Sequence, residues 1–172
     1  MPLWTKTGTL PKNIDFALLP GKRLFLLSTG TGLAPFLSLI RDADIYERFA
    51  QVLVVHSVRT VSDLAFRTDL EAQLAGDPLV QDQALLQLHY LPTVTREGFR
   101  TTGRIERLIE DGTLFGHPLV GPTQFDPAQD RIMLCGSMAM IKDWEERFNA
   151  MGFREGSNAA PGDFVIERAF VG

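Results

Sequence analysis

Only one cysteine, Cys135, occurs in the 172 residues, so no internal disulfide can form. A lone thiol suits a reducing compartment, and the expected location is the cytoplasm. Long apolar runs are lacking as well: none approaches the roughly 20 residues of a membrane span. The opening residues, MPLWTKTGTLPKN, have no apolar core of the kind a signal peptide needs. Clusters of Lys or Arg are also absent. Seventeen basic side chains face 21 acidic ones, for a net charge of -4, which argues against a nucleic-acid surface. Metal-ligand spacing is missing too, because His56, His89 and His117 lie far apart. His56 and His89 sit in expected strands and read as core or near-core residues, so no metal is expected. What remains is a chain of one-domain size with 45% apolar residues, enough for a real core.

Residues 1–20 hold three prolines and little pattern, and read as an extended lead-in. From residue 21 onward apolar runs and helical stripes alternate. Strands are expected over Leu24–Ser28, Val52–Ser57, Leu85–Val94, Arg131–Cys135 and Phe164–Arg168. Helices are expected over Ala34–Arg41, with Pro35 in its first turn, and over Ser62–Ala75, with Phe66, Leu70 and Leu74 on one face. Two more are expected over Arg104–Asp111 and Ser137–Met151, the latter burying Ile141, Trp144, Phe148 and Met151. Such alternation predicts an α/β fold, a doubly wound, mostly parallel five-stranded sheet with helices on both faces. Ligands of such sheets bind outside the carboxyl ends of the strands, so the residues just after each strand matter most.

After the first strand comes Ser28-Thr29-Gly30-Thr31-Gly32. Glycines allow close backbone approach, threonines add hydroxyls, and the following helix offers free N–H groups, which together suit a pyrophosphate. The third glycine of the dinucleotide fingerprint is replaced by Pro35, and a G-x-G alone also describes a tight strand-to-helix turn. After the second strand the first charge is Arg59, followed by Thr60, where an NAD site offers a carboxylate. After the third come Thr95 and Arg96, with Arg104 close behind. Guanidinium groups suit the 2′-phosphate of NADP(H) better than a neutral diol, although any of these arginines could simply face water. Cys135-Gly136-Ser137 makes another bulk-free turn after the fourth strand. Its thiol could border a flat ring or act as a small buried hydrophobe, and no base stands nearby to make it a nucleophile.

Together the stretches LLPGKRLFLLSTGTGLAPFLSLIRD, VRT, YLPTVTRE, GRIERLIEDGTLF, RIMLCGSMAMIKD and PGDFVIERAFVG resemble, in order, the C-terminal half of bacterial ferredoxin (flavodoxin)–NADP reductases. The resemblance implies an NADP(H)-binding domain over 21–172 that works with an N-terminal FAD-binding barrel. Hydride would pass between NADPH and FAD, and single electrons between the flavin and its partner, ferredoxin or flavodoxin. It implies that Thr29, Gly30, Thr31 and Gly32 hold the pyrophosphate, with Ser28 leading into them. Arg59, Thr60, Thr95, Arg96 and Arg104 would surround the 2′-phosphate. Cys135, as the catalytic candidate, would border the nicotinamide with Gly136 and Ser137. In the subgroup ending A-F-V, Ala169 would lie by the isoalloxazine and Phe170 by the FAD adenine.

Two departures stand out. The family's R-x-Y-S flavin signature is nowhere in the chain, and KTGTL, Lys6 to Leu10, looks like the end of the missing barrel. Met138 stands where the family often has Pro. The rival reading is a stand-alone nucleotide-binding module without catalysis. A flavin reductase carrying its own four-cysteine iron–sulfur cluster is disfavoured by the single cysteine.

Overall fold

The computed structural model describes residues 17–116 and 124–167. Five parallel strands form one sheet in the order β3-β2-β1-β4-β5: β1 (Arg23–Thr29), β2 (Gln51–Val58), β3 (Leu88–Val94), β4 (Asp130–Cys135) and β5 (Phe164–Ile166). Central strands of a parallel sheet are covered on both faces and so read as continuous apolar runs. In β1, Leu24 and Leu26 pack into one layer while Phe25 and Leu27 pack into the other. The first layer is built on α1 (Ala34–Leu39), α2 (Ala43–Arg48), α3 (Arg67–Glu71) and α4 (Gln81–Gln87), through Phe36, Leu39, Ile45, Leu70 and Ala84. The second is built on α5 (Ile105–Glu110) and α6 (Met138–Ala150), through Ile105, Leu108, Ile141, Trp144 and Phe148. Phe125 sits at its centre, edge-on to Phe25, Phe115 and Phe148 at 5.0, 5.1 and 5.2 Å. No helix among the described residues is long and apolar enough to cross a membrane.

The chain steps outward from β1 to β2 and β3, then returns to place β4 on the other side of β1. That reversal puts the switch point between β1 and β4. Ser28 is level with His56 on β2 and with Cys135 on β4, so the three strands end together at one edge.

Four elements differ from the sequence expectation. The third strand begins at Leu88, not Leu85, because Gln81–Gln87 is helical. Val80, Ala84 and Leu88 repeat every fourth residue and are buried, whereas Leu86 is 81% exposed. Leu85 and Leu86, adjacent and exposed, obscure that period in the sequence. The expected helix Ser62–Ala75 is broken into a 3-10 turn, Val61–Asp63, and the short α3. Asp63 folds back to accept from the Thr60 N–H at 3.0 Å, and Phe66 takes a left-handed φ of 60°. Phe66 is therefore half-exposed, and only Leu70 and Leu74 of the expected face are buried. Met151 ends α6 and is exposed. Helix α2 was not expected; Asp42 caps it by accepting from the Asp44 N–H at 3.0 Å.

The tail of the lead-in joins the domain. Leu18 pairs with Gly162 as an isolated parallel bridge, and Ala17 and Leu18 are buried. The Lys6–Leu10 segment, His117 and Arg168 lie outside the described residues.

Candidate functional site

The turns after β1 and β4 are built against each other. From Thr29 the chain passes into a 3-10 turn, Gly30–Leu33, that runs straight into α1 with Pro35 in its first turn. From Cys135 it passes through Gly136 to Ser137, whose hydroxyl caps α6 by accepting from the Met140 N–H at 3.3 Å. The Thr29 hydroxyl oxygen accepts from the Ser137 N–H at 3.0 Å, tying the turns together. Glycine is required at both contacts. A Cβ on Gly32 would lie 2.4 Å from the Cys135 carbonyl oxygen, and one on Gly136 would lie 2.1 Å from the Thr29 hydroxyl oxygen. Gly30 is different: its φ is +54° and nothing lies within 4 Å of where its Cβ would be. The rim at Gly30 and Thr31 is thus bare and exposed, while its floor is closely packed.

Ser28 lies beneath this rim. It is fully buried, and its hydroxyl donates to the Val55 carbonyl at 3.3 Å. The Cys135 side chain also lies in the core, and only its backbone meets Gly32. Burial, with the Glu167 carboxylate adding to it, pushes the Cys135 thiol up to about 12. It stays protonated and does not act as a nucleophile at neutral pH.

The ends of β2 and β3 form a second, electropositive corner. Their pairing continues past the strands: the Thr95 N–H donates to Val58 O at 3.0 Å and the Arg96 N–H to Arg59 O at 2.9 Å. The backbones of Arg59 and Arg96 are therefore adjacent, and both side chains are exposed. Thr95 also donates its hydroxyl to Val58 O at 3.3 Å, and Thr60 donates its own to Asp63 at 2.8 Å. Those Thr60 hydrogen bonds first, and the Arg59 charge further, hold the Asp63 carboxyl below its ordinary range. Thr101 O accepts from the Val94 N–H, and Val94 O accepts from the Gly103 N–H, both at 3.1 Å, which brings Arg104 back beside the β3 end as the residue preceding α5. Arg67, Arg100 and Arg107 nearby are each engaged by Glu71 or Asp111. Among the described residues, no carboxylate is ion-paired with Arg59, Arg96 or Arg104. That leaves three guanidinium groups available to an anion.

Two further residues shape the site. Glu97 accepts a hydrogen bond from the Val61 N–H and so clamps the turn after β2 to the turn after β3. Nothing local in TVTRE marks that role, because its partner is 36 residues away. His56 is buried as expected of a core residue, but its Nε2 lies 2.8 Å from the Gly30 carbonyl oxygen. Ala169 and Phe170 lie outside the described residues.

Residues 26–146 match the family described as the oxidoreductase NAD-binding domain. The chain is 49% identical over 96% of its length to "Ferredoxin--NADP reductase A" of Sorangium cellulosum, and 43% identical over 96% to "Ferredoxin--NADP reductase" of Azotobacter vinelandii. It covers 58% and 62% of those proteins, so it spans about three-fifths of the curated relatives it matches. Among solved structures it superposes with a TM-score of 0.74 on a ferredoxin NADP+ reductase from Neisseria gonorrhoeae with bound FAD and NADP. The two are 29% identical, and the match covers 94% of this chain and 60% of the other.

Proposed function

The chain belongs to the oxidoreductase NAD-binding domain family, and on that premise we propose that it is the NADP(H)-binding part of a ferredoxin–NADP reductase. The bare rim at Gly30 and Thr31 takes the pyrophosphate, and Thr29 and Gly32 hold that rim against the turn after β4. Arg59 and Arg96, with Thr60, Thr95 and Arg104 around them, take the 2′-phosphate. Gly136, Ser137 and the backbone of Cys135 border the nicotinamide, which the small turn admits without steric hindrance. Bound NADPH would supply a hydride for the flavin of the whole reductase, which would pass single electrons to or from ferredoxin or flavodoxin. The chain's own contribution is to orient the nucleotide through fixed N–H groups and guanidinium forks, which costs no reorganisation at the moment of transfer. FAD is bound in the Neisseria gonorrhoeae structure, and ferredoxin or flavodoxin is the carrier named for the curated relatives.

One observation carries the reading: two exposed arginines, neither in an ion pair among the described residues, stand on adjacent turns where an NAD site offers a carboxylate. Charge-assisted hydrogen bonds contribute roughly 1.5–3 kcal/mol each, so NADP+ should be preferred over NAD+ by at least about tenfold. Calorimetric titration of both nucleotides tests it. Arg96→Ala should weaken NADP+ about tenfold or more and leave NAD+ nearly unchanged. Equal affinity of the wild-type chain for the two nucleotides would refute the assignment.

A drug-sized ligand is held by burying some 70–90% of its surface, and a few contacts at one edge cannot hold a cofactor as large as FAD. The 172-residue chain purified by itself is therefore expected to be colourless and to show no NADPH-dependent reduction of ferricyanide. Supplying a relative's flavin-binding barrel should restore flavin binding and NADPH oxidation together. Stoichiometric FAD on the purified chain would overturn this expectation. Nucleotide binding without any recovery of oxidation would favour the stand-alone module.

A further inference from the structure

We infer that His56 is the positioning residue of the β1 turn: its imidazole holds the Gly30 carbonyl inward and thereby aims the next N–H, that of Thr31, out at the pyrophosphate. The inference rests on the reading of this turn as the pyrophosphate cradle. His56 is 1% exposed and stands on β2, level with Ser28 on β1. A carbonyl only accepts, so Nε2 must carry the proton that bonds the Gly30 oxygen at 2.8 Å. Nδ1 is then left as a buried lone pair with no partner among the described residues. Buried polar atoms without partners are costly, and an apolar residue would avoid that cost among the valines of β2. The Nε2 bond is what the ring offers in return.

The geometry of the peptide unit gives the bond its consequence. A trans peptide is planar, and its C=O and N–H point in opposite directions. Drawing the Gly30 oxygen down toward the sheet turns the Thr31 N–H up toward the exposed rim. Gly30 has a left-handed φ of +54°, and nothing lies within 4 Å of where its Cβ would be. Burial lowers the His56 pKa more than the Gly30 hydrogen bond raises it, so the ring is neutral at physiological pH and adds no positive charge of its own. Its effect on an anion is exerted through the backbone.

The experiment compares the full 172-residue chain with His56→Leu, His56→Asn and His56→Gln, titrated calorimetrically with NADP+ and with adenosine 2′-monophosphate. The second probe carries the 2′-phosphate and no pyrophosphate. Leu cannot donate and Asn is too short to reach Gly30, so both should weaken NADP+ about fivefold, the loss expected of roughly one net hydrogen bond. Both should leave adenosine 2′-monophosphate within about twofold of wild type, well inside that same single-bond effect. Gln places an amide N–H near the Nε2 position and should restore NADP+ binding. If the Leu variant fails to fold, the Gln and Asn pair, alike in polarity and different in reach, decides the matter. Wild-type NADP+ affinity in His56→Asn, an equal loss of both probes, or no rescue by Gln would overturn the role of His56. A wild-type chain that binds adenosine 2′-monophosphate as tightly as NADP+ would instead remove the cradle reading, and this inference with it.

Discussion

Gly32→Ala should abolish tight binding of NADP+ and NAD+ alike and cost the fold about 3 kcal/mol, the upper end of the usual penalty for overpacking. The added methyl would lie 2.4 Å from the Cys135 oxygen, 2.6 Å from its carbonyl carbon and 2.9 Å from Gly136 Cα. These are backbone atoms and cannot rotate aside. Cys135 ends β4, whose Leu134 carbonyl is also held by the Glu167 N–H at 2.8 Å. Relief can come only by parting the two turns, which breaks the Thr29–Ser137 hydrogen bond and displaces the rim. Gly30→Ala is the control for stability alone, since Gly30 belongs to the proposed pyrophosphate rim. Its methyl meets nothing, and the cost is the roughly 1–2 kcal/mol of holding an L-residue in the left-handed region. Denaturant unfolding and calorimetry on both variants would check this. A Gly32→Ala chain as stable as wild type, binding nucleotide normally, would mean that the turns are not in contact.

Asp130→Ala is expected to lower stability by about 3–5 kcal/mol, the range for removing one partner of a buried ion pair. The Arg23 guanidinium meets Asp130 through two hydrogen bonds, Nε to Oδ1 and Nη2 to Oδ2, each 2.6 Å, with Arg23 only 1% exposed. It also lies over the rings of Phe25 and Phe115, at 5.1 and 5.8 Å. Arginine cannot shed its proton, so the variant keeps a buried charge without its bidentate carboxylate. The second Asp130 oxygen also accepts from the Asp126 N–H at 2.8 Å, a bond lost at the same time. For a chain of this size the loss corresponds to a fall in Tm of roughly 10 °C. The pair lies at the start of β1 and β4, opposite the proposed nucleotide end, so the folded variant should bind NADP+ with unchanged affinity. An unchanged Tm would show that the buried pair contributes nothing. A weakened nucleotide affinity in the folded variant would show that the two ends of the sheet are coupled.

The core strands were legible because each carries its own signal. LFLLS, VLVVHS and RIMLC are apolar without alternation, as strands covered on both faces must be. The turn after β1 was legible as a turn for the same local reason, since glycines and hydroxyls between an apolar run and a helix mark a strand-to-helix connection. The helices between β2 and β3 were harder. Phe66, Leu70 and Leu74 have helical spacing, yet Asp63 turns back on Thr60 and breaks the helix before Phe66 can bury. Leu85 and Leu86 resemble strand residues but project to solvent from α4. Local spacing cannot say which apolar residues will find a partner.

The amino-acid sequence by itself determined the alternating α/β order, the bare turns at residues 28–32 and 135–137, and an arginine where a carboxylate would select NAD. These are properties of short segments, set by side-chain size, backbone freedom and charge. Only the tertiary structure decided how the segments meet. It placed β4 beside β1, so that Gly32 packs on a carbonyl more than a hundred residues away and Thr29 accepts from the Ser137 N–H. It set Arg96 against Arg59 and clamped their turns through Glu97. It also put His56, an ordinary core histidine by its local context, beneath the Gly30 carbonyl. Each of these contacts joins residues distant in the chain, and strand order and register, which bring them together, are fixed by the packing of the whole sheet.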